Sequence, residues 1–153
     1  MRIVVQRVEN GSVIINKKKH AFIISMFIVG YQQSSELGWQ LVVTWIVING
    51  GLSALGAAIA LAHPGSILAA FIAAPITSLN PTIGAGMLVG LVESYLRKPR
   101  VSDFETLRDD ITHWKMWWKN QVVRVFLVFF FANIGSVFGT YIAGASIVHQ
   151  LFG

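Results

Sequence analysis

From Leu37 to Val92 the chain runs for 56 residues without a single Asp, Glu, Lys or Arg. A soluble domain of this size cannot hide so long an uncharged stretch, because its surface needs charge; a bilayer can. Inside the run sits a break, AAPITSLNPT (Ala73–Thr82). Polar and helix-interrupting residues at membrane depth mark either a packing solution or a binding site.

The pattern predicts an all-α polytopic bundle with spans near 21–35, 38–62, 65–78, 82–96 and 121–148. The first is short and follows the basic Lys17–His20 flank, so it reads as a tilted signal-anchor; no small-x-small cleavage site follows it. His63-Pro64-Gly65 ends the second span, with Pro64 placed to begin the third. The third and fourth arms meet at Ser78-Leu79-Asn80, where Asn80-Pro81 forms an N-cap followed by Pro at the first helical position. Each arm has about 16 residues, or roughly 24 Å, against a hydrocarbon core of about 30 Å. The pair is therefore either two short spans or a deep re-entrant hairpin, with its turn expected at or just beneath the far interface. Between the fourth and fifth spans, Phe104, Leu107, Ile111, Trp114 and Trp118 recur at helical spacing behind a Ser102–Glu105 capping-box pattern. This predicts an interfacial helix over 102–118. Residues 1–16 hold two β-branched runs around Asn10-Gly11 and predict a β-hairpin.

Charge placement sets the orientation. All twelve Lys and Arg residues lie either before residue 20 or between Arg97 and Arg124. Positive-inside bias puts both segments in the cytoplasm, with the N-terminus in and the C-terminus out. Anionic lipid headgroups are the expected partner of these charges, and nucleic acid is not. With 153 residues there is room for one bundle and no separate catalytic domain. The absence of Cys excludes disulfides and thiol chemistry.

Polar residues within the spans are the candidates for chemistry. Asn49 and Asn133, each near mid-span, suit helix–helix hydrogen bonding. Glu93 is the one acid within an apolar span and precedes Arg97 by four residues, a stabilising helical pair or a proton or cation site. His63 suits a helix cap. Ser78 and Asn80 occupy the broken turn, where helix dipoles converge as in transporter sites. Gly86-x-x-x-Gly90 and Gly135-x-x-x-Gly139 are expected to pack helices within the chain. No spacing assembles a nucleophile, base and orienter, and none supports a metal or other cofactor.

Two resemblances follow. Residues 1–13, MRIVVQRVENGSV, resemble the opening of the D-aminoacyl-tRNA deacylases, but the later catalytic motifs of that family are absent and no activity carries over. AAPITSLNPTIGAGMLVGLVESYLRKPRVSDFETL and WWKNQVVRVFLVFFFANIGSVFGTYI, with INGGLSALGAAIALAHPGSILAA, look like the membrane-embedded C-terminal half of the TraB family. That is the pheromone-shutdown and conjugal-transfer group of bacteria and archaea. Members normally carry an N-terminal soluble domain in which any chemistry is suspected, and nothing before Ala21 here matches it. The resemblance implies a prokaryotic cytoplasmic-membrane module without enzyme activity of its own. Such a module would anchor or scaffold a separately encoded soluble domain or a second copy of itself. The alternative is a small transporter or channel built on the SLNPT hairpin and Glu93.

Overall fold

The computed structural model describes residues 21, 23–79 and 84–152, and every regular element among them is helical. Both readings of the N-terminal residues, the β-hairpin and the deacylase-like opening, lie outside the described residues. So does Asn80.

Residues 23–33 form α1. Ser34 separates it from α2, Ser35–Ile59, by adopting an extended backbone and accepting a hydrogen bond from the Leu37 N–H at 3.0 Å. That is the conformation and donor pattern an N-cap serine provides. Within α2, Ile46–Gly50 opens into a π-helical turn. The helix closes with Ala62 N–H donating to Ala57 O at 3.1 Å and Leu61 N–H donating to Ala58 O at 2.9 Å. This paired closure demands a left-handed residue, normally Gly, and here Leu61 fills it at φ 55°. Next, α3 covers Pro64–Thr77, with Pro64 in its first turn, and α4 covers Ala85–Arg97. Two short helices, α5 (Val101–Glu105) and α6 (Leu107–Asp110), and a 3₁₀ turn at Trp114–Met116 lead into the 32-residue α7, Gln121–Phe152.

Two sequence expectations change here. A single interfacial helix over 102–118 does not form. Thr106 Oγ1 donates to Asp110 Oδ2 at 2.8 Å, and Asn120 Nδ2 takes the Asp103 carbonyl at 2.7 Å, so side chains compete for the groups a continuous helix would pair. The helix start also moves forward: the Asp103 carboxylate accepts from the Arg100 N–H at 2.7 Å, and α5 begins at Val101 instead of after Ser102. Of the five predicted spans, only α2, with 25 residues, and α7, with 32, are long and apolar enough to cross a membrane among the described residues. The 14 residues of α3 and 13 of α4 reach only about 20 Å each.

α7 is the axis of the bundle. It runs antiparallel to α2 on one side and to α4 on another, while α3 bridges α2 and α4. The α2–α7 contact brings backbone against backbone: a Cβ on Gly56 would collide with the Phe131 carbonyl, and one on Gly135 with the Leu52 carbonyl. The same intimacy recurs at Gly139 against Asn49, at Gly86 against Phe129, and more loosely at Gly90, 3.5 Å from Phe129 Cβ. Both GxxxG pairs thus pack helices within the chain. One apolar cluster gathers Ala57, Ala70, Val89, Val128 and Ala132; a second joins α1 to α2 and α7 through Ile23, Met26, Leu41, Trp45, Ala143 and Ile147.

Candidate functional site

The polar side chains predicted to matter gather at the two ends of the α3–α4 hairpin. At its tip, Asn49 is completely buried on the π turn of α2. Its Nδ2 donates to Ser78 Oγ at 3.1 Å and to Thr140 Oγ1 at 3.0 Å, and its Oδ1 accepts from Ser136 Oγ at 3.2 Å. Ser78 and Ser136 lie 3.0 Å apart, so one amide and three hydroxyls from α2, α7 and the end of α3 close a knot. Residues four or five apart on this wide turn share a face. Trp45 therefore reaches the same region, donating Nε1 to Pro75 O at 3.2 Å, one of the last carbonyls of α3.

The depth of this knot follows from counting. Asn49 lies ten residues before Ile59, roughly 15 Å at 1.5 Å per residue, and Ser136 is the sixteenth of the 32 residues of α7. Ser78, where α3 ends, is level with the middle of both long helices. Asn133 does not meet Asn49. It serves as a cap from outside the helix, its Oδ1 accepting from the Gly86 N–H in the first turn of α4 at 3.0 Å. Ser53, also fully buried, donates to Ala132 O at 3.0 Å.

At the base of the hairpin the chemistry is ionic. Glu93 is completely buried, with Oε1 2.8 Å from Arg97 Nε and Oε2 accepting from the His63 N–H at 2.9 Å. His63 is the N-cap of α3, its Nδ1 accepting from the Gly65 N–H at 3.1 Å. Arg97 also donates from Nη2 to Leu61 O at 3.0 Å, tying the left-handed closure of α2 to the end of α4. Glu93 and Arg97 thus pair as their spacing suggests, while the carboxylate faces inward and binds a third element. His63 and Glu93 come together, Asn49 and Ser78 come together, and the two groups stand at opposite ends of the hairpin. Among the described residues no three His, Cys, Asp or Glu side chains cluster as metal ligands would.

Sequence reasoning missed Asn120. It is buried, its Oδ1 accepts from the Val122 and Val123 N–H groups at 2.9 and 3.2 Å, and its Nδ2 donates to Asp103 O and Asp110 Oδ2. One side chain caps α7 and pins the loop. An Asn directly before a long apolar run was the signal for it. The hydrogen bond from Asn120, followed by that from Thr106, holds the Asp110 carboxyl below the ordinary carboxylate range.

The C-terminal domain of TraB family proteins matches residues 13–152. The chain belongs to the TraB family. A relative, an uncharacterized protein of Methanocaldococcus jannaschii, is 34% identical over 127 residues, covering 77% of this chain. The chain spans only 30% of that relative's length. No solved structure matches. The family match takes in the tip knot, the buried carboxylate and the loop together, so all three are parts of the TraB C-terminal domain.

Proposed function

We infer that this chain is the membrane-embedded anchoring module of a TraB-family protein. α2 and α7 cross the cytoplasmic membrane, and the α3–α4 hairpin enters from the cytoplasmic side and turns back within it. The observation that carries this reading is the seat of the hairpin tip against Asn49 and Ser136, halfway along both long helices. A pair of helices about 20 Å long that ends there reads as a re-entrant hairpin, with the Ser78 hydroxyl bonded into the protein as lipid requires. The lipid-facing surface agrees. Val47, Leu55 and Ile59 on α2, Leu68 and Ile72 on α3, Leu91 on α4 and Phe130, Val137, Phe138 and Tyr141 on α7 are all exposed. Large apolar side chains left open on four helices suit contact with lipid. The cations of the 97–124 region collect at the opposite end from the α2 N-terminus, with Phe104, Ile111 and Trp114 exposed among them, which suits the headgroup layer.

Anchoring follows from how the polar groups are spent. Asn49, Ser53, Ser78, Asn133 and Ser136 hydrogen-bond to one another or to backbone, an arrangement that fixes helices against each other. The soluble partner is a domain of the kind that other family members join to this module, or a second copy of the chain.

Because there is no native Cys, single cysteines report topology directly. Cys at positions 105 and 115 should react with an impermeant maleimide only after the cytoplasmic face is opened, and Cys at 79 should stay protected from both faces. Labelling at 79 from outside would turn the hairpin into two full spans. Ion or proton flux in liposomes, abolished by Glu93→Gln, would replace the anchor reading with a transporter.

A further inference from the structure

The base of the hairpin carries more positive charge than the protein neutralises. Arg124, on the first turn of α7, precedes Val125, which packs against Gly90 one turn before Glu93, so Arg124 shares the hairpin base with Glu93 and Arg97. The Glu93 carboxylate is already committed, one oxygen to Arg97 and the other to the His63 N–H. Glu93, Arg97 and Arg124 together sum to one net positive charge. Arg124 Nε is buried and has no hydrogen-bond partner among the described residues. The placement is also unfavourable for a cation, since the first turn of a helix is the positive end of its dipole. Two guanidiniums at one end of the bundle, one of them unmatched, supply the donors that forked recognition of a phosphate uses. The level fits as well. Gly90 lies against Val125, and Trp118 Nε1 reaches Ile59 O at 3.3 Å, so Arg124 stands where the apolar helices meet the basic, Trp-rich loop.

We propose that Arg124 and Arg97 bind the phosphate of an anionic phospholipid of the cytoplasmic leaflet, locking the base of the α3–α4 hairpin to the headgroup layer. The proposal rests on the membrane reading above. In it, the lipid phosphate supplies the second anion that Glu93 cannot, and the chain is held at a fixed depth.

The test is native mass spectrometry of the full chain in detergent, titrated with phosphatidylglycerol or with phosphatidylcholine. Phosphatidylglycerol should be retained in preference, and Arg124→Gln should weaken that retention by about tenfold, the loss of one charged fork. Lys115→Gln, the same charge change on the exposed loop, should leave it nearly intact. Equal losses in the two variants would reduce the effect to general surface charge and overturn the site. Displacement of the lipid by equimolar inorganic phosphate would assign the site to a free anion instead. If Arg124→Gln melts well below the wild type, Arg124→Lys takes its place, because it keeps the charge and loses the fork; undiminished retention would then refute the site. An alkaline wash of membranes holding the chain separates the two levels of failure. Release from the bilayer would sink the membrane reading, whereas a chain that stays and shows no Arg124 dependence sinks only the lipid site.

Discussion

At its tip the α3–α4 hairpin is held by neutral groups, one amide and three hydroxyls; at its base it is held by a buried carboxylate and the guanidinium bonded to it. Both ends bring three helices together. They differ in what failure would cost. A hydroxyl or amide deprived of one partner in the knot has others within reach, because Asn49, Ser78 and Ser136 are each within hydrogen-bond distance of the other two, and Thr140 of Asn49. Glu93 has two hydrogen-bond partners, one per oxygen, and no third among the described residues. The tip is redundant and uncharged and the base is ionic, and in the proposed membrane placement the first would lie deep and the second near the headgroups. This follows the cost of charge with depth.

The sharpest way to break the comparison is Glu93→Ala. It strands the His63 N–H at the start of α3 and leaves Arg97 without its acid. A loss of about 3 kcal/mol is expected, at the lower end for a broken buried pair because Arg97 is partly exposed. Thermal unfolding in detergent, followed by far-UV circular dichroism, would show it as the largest single drop. Asn49→Leu should cost less, about 1–2 kcal/mol, since interhelical hydrogen bonds in bilayers average below 1 kcal/mol and three hydroxyls stay behind to re-pair. If Asn49→Leu proved the more damaging, the redundancy assigned to the tip would be wrong.

Much of this contrast was legible in the residues. The uncharged 56-residue run, His63-Pro64, the Glu93–Arg97 spacing and the two GxxxG pairs point to helices, their junction and their close faces. What the chain could not show is which element each polar group would meet. Asn133 caps α4 instead of bonding to α2, because it lies on the side of α7 that packs against Gly86; sequence spacing says nothing about partners 47 residues apart. The hairpin's depth was equally hidden, since it depends on where Ser78 docks along α2 and α7. The loop helix failed for a local reason. Thr106, Asp110 and Asn120 are side chains that outbid the backbone, and helical spacing of the apolar residues does not register that competition.

A smaller effect, of opposite sign, comes from Leu61. Its left-handed backbone is imposed by the closure of α2, and Arg97 Nη2 fastens its carbonyl. Leu61→Gly should stabilise the protein by roughly 1 kcal/mol, because Gly takes that conformation without a Cβ penalty. The side chain is exposed, so little packing is lost. The gain should vanish if Arg97 is truncated at the same time and the closure frays, which a double-mutant cycle would register.

The gentlest probe acts on the loop alone. Asp110 is held below the ordinary carboxylate range first by Asn120 Nδ2 and then by Thr106 Oγ1. A depressed carboxyl contributes stability above its unfolded value, near pH 4, and loses it as the pH falls through the folded value. Docking of α5 and α6 against the start of α7 should therefore loosen only below about pH 4. Trp117, whose Nε1 donates to Ile111 O, sits in this loop and offers a fluorescence readout. Asp110→Asn should flatten that acid transition without moving the main unfolding step, because the Glu93 pair at the hairpin base is independent of it. A transition that persisted unchanged in Asp110→Asn would show that the Asp110 carboxyl does not carry the acid sensitivity of this loop.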